Sequence, residues 1–181
     1  ELTFDTGTGP RHGIFDRDHK RFFLVSELSN QVFVYSLTED AAAGTESCHN
    51  SISLPGFSMR LLHICSILPS DAVYEEPPAS AAIRLSPDER FLYVSTRYAE
   101  VITVFKLDHG CLEQIQQTGC GGIHPRDMIL TPDGQYLLVA NRTQGGLVSF
   151  QINPETGQLM DICSRVPAPE AVSIVLSQHT I

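Results

Sequence analysis

Three segments of this chain repeat one pattern of apolar and polar residues, and a repeat of this kind strongly restricts the possible folds. Each segment has an apolar residue, a polar turn built on Asp with Pro or Gly, and a mostly apolar run that ends on a charged residue. The segments align without gaps at 15–27 (FDRDHKRFFLVSE), 85–97 (LSPDERFLYVSTR) and 130–142 (LTPDGQYLLVANR). An aromatic residue follows each terminal charge at the same distance, at Tyr35, Phe105 and Phe150. A fourth copy begins at 171–176 (AVSIVL).

The residues of each repeat predict short β-strands, and no stretch has helical periodicity. Residues 91–95 (FLYVS) are rich in aromatic and β-branched side chains, which is typical of a buried strand. Residues 101–107 and 146–152 alternate or nearly alternate, as half-exposed strands do. Asp88-Glu89 and Asp133-Gly134 suit the tight turn that precedes each buried run. A further strand is predicted in each unit, at 61–68, 111–118 and 158–166, which gives four strands per unit.

The spacing of the repeats predicts a β-propeller. Leu130 follows Leu85 by 45 residues, which is the length of a four-stranded propeller blade. Leu85 follows Phe15 by 70 residues, so the first unit carries an insertion between Thr38 and Ser80. The insertion includes 41–44 (AAAG) and 75–78 (EEPP), which have loop composition. A β-sandwich also has short strands, but its sequence does not repeat at this period.

The predicted fold class is therefore all-β: about four blades' worth of four-stranded antiparallel sheets, forming part of a ring. Propellers protect their sheet edges by closing the ring. We therefore expect residues 1–181 to be a single partial propeller domain from a longer chain, with 2–4 (LTF) as the last strand of a preceding blade. The alternative is a closed ring of about four small blades.

Composition restricts the partners and the compartment. The chain has 12 Lys and Arg against 21 Asp and Glu, a net charge of −9, which disfavours nucleic acid and anionic membranes as partners. The five cysteines include no pair with C-x-x-C spacing, which indicates reduced thiols in a cytoplasmic protein. No apolar run approaches the length of about 20 residues that a membrane helix needs. The chain opens on Glu1 rather than on methionine, so the sequence leaves export open.

Ordered motifs connect the chain to a known family. They are 9–12 (GPRH) with 26–28 (SEL), 80–88 (SAAIRLSPD) with 92–97 (LYVSTR), and 124–126 (HPR) with 131–134 (TPDG) and 137–141 (LLVAN). In these motifs, at blade spacing, the chain resembles the C-terminal part of the lactonase-type seven-bladed propellers. That family includes bacterial 6-phosphogluconolactonases and a fungal carboxymuconate-lactonising enzyme.

The resemblance implies hydrolysis of a small anionic lactone bound near the propeller axis. The expected reaction converts 6-phosphogluconolactone to 6-phosphogluconate, a step of the pentose phosphate pathway, without metal or cofactor. By the same resemblance, Arg11 and Glu27 match the family's proposed catalytic arginine and glutamate, and Arg97 matches a further arginine near the pocket. The family's proposed histidine lies upstream of this chain, so we expect little activity from residues 1–181 alone. Where this chain has Arg142, the family more often has glutamine.

The chemistry of these residue types agrees with ester hydrolysis. A fixed guanidinium stabilises the oxyanion that forms when water attacks a carbonyl, and a nearby carboxylate takes the proton from that water. Glu27, Arg97 and Arg142 hold equivalent repeat positions, so they converge if that position faces the axis. Arg126 repeats the Pro-Arg pair of Arg11 and suits a carboxylate or phosphate. The predicted catalytic residues are Arg11 and Glu27, and the predicted substrate-binding residues are His12, Arg97, Arg126 and Arg142.

Other interpretations of these residues remain open. His12 and His124 either hydrogen-bond the substrate or pack at the top of the channel. Each arginine alternatively forms a salt bridge between blades or a solvated loop charge. We interpret Asp16, Asp18 and His19 as a solvated turn rather than a metal site. The absence of G-x-S-x-G disfavours an α/β-hydrolase mechanism. Competing functions are a non-catalytic propeller used as a binding platform and the lactonising isomerase.

Overall fold

The computed structural model describes residues 2–39, 52–54 and 57–177 of the chain. The described residues form thirteen β-strands in three antiparallel sheets, and no helix is found among them. The first blade comprises β1 (Pro10–Phe15), β2 (Arg21–Ser26), β3 (Gln31–Thr38), β4 (Ile52–Leu54) and β5 (Phe57–Ser66). The second comprises β6 (Ala79–Leu85), β7 (Phe91–Arg97), β8 (Val101–Asp108) and β9 (Cys111–Gly119). The third comprises β10 (Ile123–Leu130), β11 (Tyr136–Gln144), β12 (Gly146–Ile152) and β13 (Leu159–Val166). The prediction of an all-β chain is confirmed.

The second and third blades are meanders in which consecutive strands pair, and the first blade has an extra strand, so that β3 pairs with β5. Its sheet runs in the order β1-β2-β3-β5-β4, and the other two blades run β6-β7-β8-β9 and β10-β11-β12-β13. The extra strand, β4, lies inside the predicted insertion and pairs with β5 at the edge of the sheet. Residues 75–78 lie in the loop before β6, as predicted. Residues 41–44, the other loop-like stretch of the insertion, lie outside the described residues.

The sequence repeat corresponds to an identical strand register in all three blades. Tyr35 pairs with Phe22, Phe105 with Leu92, and Phe150 with Leu137. Tyr35 and Phe105 are fully buried, and Phe150 is 3% exposed. The aromatic at the repeated position therefore occupies the same core site in each blade.

The turn between the first two strands of each blade is also conserved in structure. A side-chain oxygen of the first turn residue accepts a hydrogen bond from the amide of the next strand. The bonds are Arg21 N to Asp16 Oδ1 at 2.9 Å, Phe91 N to Ser86 Oγ at 2.9 Å and Tyr136 N to Thr131 Oγ1 at 3.0 Å. The fourth turn residue is left-handed in every copy: His19 (φ 54°), Glu89 (φ 60°) and Gly134 (φ 70°). Asp16, Asp18 and His19 thus lie in a turn, as predicted, but Asp16 is not solvated: it is 4% exposed and pairs with Arg21.

The two end segments differ from the prediction, so the described residues form three blades. Neither 2–4 nor 171–176 is a strand. A strand needs a neighbour to satisfy its backbone, and the described residues contain no strand of a flanking blade that pairs with either segment. Phe4 instead packs edge-to-face on Phe33 at 5.3 Å. Ile174 runs past β10, where its amide donates to Asp127 Oδ2 at 3.1 Å.

The hydrophobic core lies in layers between neighbouring blades. One layer joins side chains of the first and second blades, among them Phe23, Val34 and Leu92. The next joins the second and third blades, among them Tyr93, Met128 and Val139. β1 contacts β6, and β6 contacts β10, so the first strands of the three blades lie next to one another. This arrangement brings the predicted site residues, which flank these strands, to one side of the molecule.

Candidate active site

A β-bulge at the start of two blades directs an arginine out of the sheet. The register of β1 against β2 shifts between Pro10 and His12, and that of β10 against β11 shifts between Pro125 and Asp127. The residues skipped by these ladders are Arg11 and Arg126. β6 has a longer irregularity between Ser80 and Ile83. Because bulges re-aim side chains, the two repeated Pro-Arg pairs place their guanidinium groups at equivalent positions of separate blades.

Glu27 lies between two arginines that come from different blades. Glu27 follows the end of β2, and its Oε2 is 3.5 Å from Nε of Arg11. Its Oε1 accepts a hydrogen bond from Nη2 of Arg97, the last residue of β7. The side chains are 35% exposed for Glu27, 23% for Arg11 and 8% for Arg97. The structure therefore brings together Arg11, Glu27 and Arg97, across the boundary between the first and second blades.

Backbone carbonyls of β6 hold both arginines of this cluster. Arg97 Nε donates to the carbonyl of Ala79 at 3.2 Å, and Arg11 Nη1 donates to the carbonyl of Ala81. Ala81 stands in the irregular part of β6, where the ladder leaves its carbonyl available. The guanidinium groups are thus fixed in position before any substrate binds, as electrostatic catalysis requires.

The charge around Arg11 is predominantly positive. Burial lowers the pKa of Arg11, and the nearby Arg97 and Arg126 lower it further, while Glu27 and Asp127 raise it. An arginine remains protonated in such surroundings. This region is therefore a local basic patch within an acidic chain, and it favours an anionic ligand.

Arg142 does not join the cluster around Glu27. Its Nε contacts Oε2 of Glu170 at 3.0 Å, with the two side chains 44% and 72% exposed. It also forms one wall of a cleft of about 440 Å³ beside Arg165. Of the three equivalent repeat positions, Glu27 and Arg97 therefore meet, and Arg142 pairs elsewhere. Its role in substrate binding stays a prediction.

His12 belongs to a network that sequence reasoning missed. Arg84 Nη1 donates to Nε2 of His12 at 3.2 Å, and Arg84 Nη2 contacts Oδ1 of Asp127 at 2.7 Å. The network joins β1, β6 and β10. Burial, and then the charge of Arg84, lowers the pKa of His12. With Nε2 occupied as an acceptor, His12 fits the packing interpretation better than direct contact with substrate.

A signal for this network is present in the repeat. Arg84 stands at the position that Ile14 and Ile129 hold in the other two copies. A charge at an apolar repeat position indicates a partner in a neighbouring blade, since a buried charge needs compensation. Asp127, at the repeat position of His12, is that partner.

His124 is buried near the cluster, and one of its ring nitrogens is unpaired. The residue is 9% exposed, and no described atom hydrogen-bonds its Nε2. Its backbone amide donates to Oε2 of Glu100, and its ring packs edge-to-face on Tyr98 at 5.6 Å. A cleft of about 400 Å³ opens beside it, lined also by Glu75, Glu76 and Thr143.

Other sequence features have simpler outcomes. Cys65, Cys111, Cys120 and Cys163 are free thiols, while Cys48 lies outside the described residues. The described ranges contain no group of three potential metal ligands. Within the same ranges, no helix has the length and apolarity needed to span a membrane.

Comparison with known proteins places these features in context. The model of a family described as "Lactonase, 7-bladed beta-propeller" matches residues 1–176. The 6-phosphogluconolactonase of Bacillus subtilis (strain 168) is 30% identical over 174 residues, which are 95% of this chain and 45% of that protein. A solved structure from Lactobacillus plantarum has a TM-score of 0.79 at 31% identity, covering 94% of this chain and 46% of that one. The periplasmic gluconolactonase of Pseudomonas aeruginosa has a TM-score of 0.77 at 27% identity, covering 93% and 42%.

These matches confirm the predicted propeller architecture. The chain spans about half the length of the relatives that it matches, at 45% of one and 46% of another. The matched residues include every position discussed above, from Arg11 to Glu170.

Proposed function

The chain belongs to the seven-bladed β-propeller lactonase family, and we propose that its full-length protein hydrolyses the ring ester of a small anionic sugar lactone. The proposed substrate is 6-phosphogluconolactone, and the product is 6-phosphogluconate. The observation that carries this proposal is Glu27 held between Arg11 and Arg97 from two blades. Support comes from the 30% identity to a protein named 6-phosphogluconolactonase.

In the proposed mechanism, Glu27 activates water and the arginines stabilise the developing charge. Each carboxylate oxygen has two lone pairs, so the contacts with Arg11 and Arg97 leave lone pairs of Glu27 free to accept a proton. Water attacks the lactone carbonyl as its proton passes to Glu27, and the carbonyl oxygen becomes an oxyanion beside a guanidinium. The ring C–O bond then breaks, and the ring oxygen takes up the proton and leaves as a hydroxyl.

The local charge supports an anionic substrate. Arg11, Arg97 and Arg126 lie close enough to influence one another, with Glu27 and Asp127 as the opposing charges. The whole chain nevertheless carries a net charge of −9. A basic patch on an acidic protein attracts a small anion while the remaining surface repels large polyanions.

The architecture and compartment follow from the same proposal. We place residues 1–181 as one domain that contributes three blades to a seven-bladed ring, with the remaining blades completing the pocket. We also propose a cytoplasmic protein, supported by the four free thiols of the described residues. One structural relative is periplasmic, so the fold itself is compatible with either compartment.

The test is an assay of the full-length protein and three variants. Hydrolysis is followed as acid release at constant pH, with the spontaneous rate subtracted. Glu27→Gln and Arg11→Ala should each lower kcat by about a hundredfold or more, because each removes a proton acceptor or an oxyanion contact. Arg90→Gln is the matched control, since Arg90 is 52% exposed and pairs with Asp88 in a turn.

The outcomes separate the function from the assignment of residues. A parent protein with no activity on sugar lactones contradicts the proposed function and favours a binding platform. A Glu27→Gln variant that keeps full rate at unchanged stability contradicts the role of Glu27 alone. In that case the Glu27–Arg97 contact is an inter-blade salt bridge.

A further inference from the structure

Two polar groups beside the proposed active site have no partner among the described residues. Nε2 of His124 is buried and unpaired. Arg126 is half-buried, and no hydrogen bond or ion pair joins it to another described residue. Buried polar groups are nearly always hydrogen-bonded in native proteins, so an unpaired one at a cleft indicates a ligand. Both groups come from β10.

The position of His124 is fixed by its surroundings. Its φ of 65° lies in the left-handed region, as do the φ values of Gly9 (63°) and Glu170 (57°) at the same repeat position. A histidine in this conformation is strained and needs support from its neighbours. Tyr98 packs on the ring, and Glu100 accepts a hydrogen bond from the backbone amide.

Positive charge converges on His124 from three blades. Burial lowers its pKa, and Arg97, Arg142, Arg126 and Arg11 lower it further, which keeps the imidazole neutral. A neutral imidazole is able to donate one hydrogen bond without adding charge. The carboxylates of Glu75, Glu76 and Glu100 line the same cleft as His124.

The other candidate groups of this region are already engaged. Nε2 of His12 accepts from Arg84, and Arg142 pairs with Glu170. Arg97 contacts Glu27, and Arg11 contacts both Glu27 and the carbonyl of Ala81. His124 and Arg126 therefore offer hydrogen-bond donors without a described partner next to the arginine cluster.

We propose that His124 and Arg126 form a subsite for the phosphoryl group of a phosphorylated sugar lactone, while Arg11, Glu27 and Arg97 surround the reacting ester. This inference rests on the proposed function and specifies its substrate class. A phosphoryl group offers three strong acceptor oxygens. The planar guanidinium of Arg126 suits two of them, and the imidazole suits the third. Arg126 stands at the bulge equivalent to that of Arg11 in a separate blade, and we assign it to the phosphoryl group and Arg11 to the ester.

The experiment compares two substrates in the full-length protein. kcat/KM is measured for 6-phosphogluconolactone and for unphosphorylated gluconolactone, in the parent and in Arg126→Gln and His124→Asn. Asparagine suits position 124 because it tolerates the left-handed conformation better than other residues. Each variant should lower kcat/KM for the phosphorylated lactone by about tenfold or more and leave the value for gluconolactone within about twofold. Arg90→Gln, at the exposed turn, should change neither value.

A second measurement uses inorganic phosphate as an inhibitor. Phosphate should compete with the phosphorylated substrate, and its inhibition constant should rise by about tenfold in Arg126→Gln. Arg126→Lys, which keeps the charge but loses the fork, should give an intermediate value. If Arg126→Gln does not fold, Arg126→Lys provides the same test of phosphate inhibition.

The results distinguish the two proposals. A parent protein that hydrolyses neither lactone contradicts the proposed function. A parent that hydrolyses both, with variants that lower both rates equally or neither, leaves the lactonase in place and contradicts the phosphoryl subsite. Thermal unfolding of each variant shows whether a loss of rate comes from misfolding.

Discussion

Two buried tyrosines provide a matched test of how the blades are joined. Tyr93 and Tyr35 are both fully buried, so Tyr→Phe removes the same atom from the same kind of environment. Oη of Tyr93, in the second blade, donates to the carbonyl of Gly157, in the third blade, at 2.8 Å. Oη of Tyr35 has no hydrogen-bond partner among the described residues. Burial raises the pKa of the Tyr35 hydroxyl to about 12.

The structure predicts opposite effects on the free energy of unfolding. Tyr93→Phe deletes a hydrogen bond and leaves the buried Gly157 carbonyl unpaired, which should cost about 1–3 kcal/mol. Tyr35→Phe removes a hydroxyl that is already desolvated and unpaired, so stability should stay within about 0.5 kcal/mol or rise by about 1 kcal/mol. Tyr93→Phe should therefore be the less stable variant, by about 2 kcal/mol at the centre of these ranges.

Urea denaturation of the full-length protein, followed by circular dichroism, measures this difference. The slopes of the two transitions must agree, so that the midpoints report stability rather than a change in the unfolded state. If Tyr35→Phe destabilises the protein as much as Tyr93→Phe, the contrast between a paired and an unpaired hydroxyl is wrong. The Tyr93–Gly157 bond would then not be a distinctive link between blades.

Three further expectations concern charged residues, two in the network of the first strands and one at Arg142. Arg84→Met leaves Asp127, whose side chain is 15% exposed, without its cation. Urea denaturation should show that the free energy of unfolding falls by about 2–4 kcal/mol. The control Arg90→Met, at an exposed pair, should lower it by less than about 1 kcal/mol. Because burial lowers the pKa of His12 in the folded state, the unfolded chain binds the proton first, and stability should fall as pH drops below about 6.5. His12→Gln should reduce this pH dependence, measured as the urea midpoint from about pH 7 to 5. If the midpoint of His12→Gln falls with pH as steeply as that of the parent protein, His12 is not the group responsible. Arg142→Gln should change stability by less than about 0.5 kcal/mol, because its pair with Glu170 is exposed.

The repeat was sufficient to predict the β-fold and most of its strands. Predicted strands at 101–107, 111–118, 146–152 and 158–166 agree with β8, β9, β12 and β13 to within one residue at either end. The reason is physical, since each repeat must bury the same face against its neighbour. The pattern was less reliable in the insertion, where the strand predicted at 61–68 is β5 and β4 was not predicted, and at 2–4 and 171–176, which are not strands.

The sequence predicted part of the site, but it did not predict the β-bulges that position two of the arginines. Sequence motifs identified Arg11, Glu27 and Arg97, which the structure brings into contact. The motifs do not reveal that Arg11 and Arg126 leave the ladder at a bulge, because a bulge shows itself only in the pairing of two strands. The unpaired state of His124 was equally invisible, since it depends on which groups fail to reach Nε2.

Residues at equivalent repeat positions lie at the same place in each blade, but they contact different partners. Glu27 meets Arg97, the same position of the next blade, whereas Arg142 meets Glu170, which stands at the repeat position of His124. Glu27 takes its partner from the following blade and Arg142 from the segment after the third blade, so a substitution in one repeat changes the environment of the preceding one. Opposite charges at facing positions of adjacent repeats therefore indicate a contact, as Arg84 and Asp127 show across the second and third blades. Arg126 is half-buried and has no such counterpart among the described residues, which is why we assign it to the proposed phosphoryl subsite.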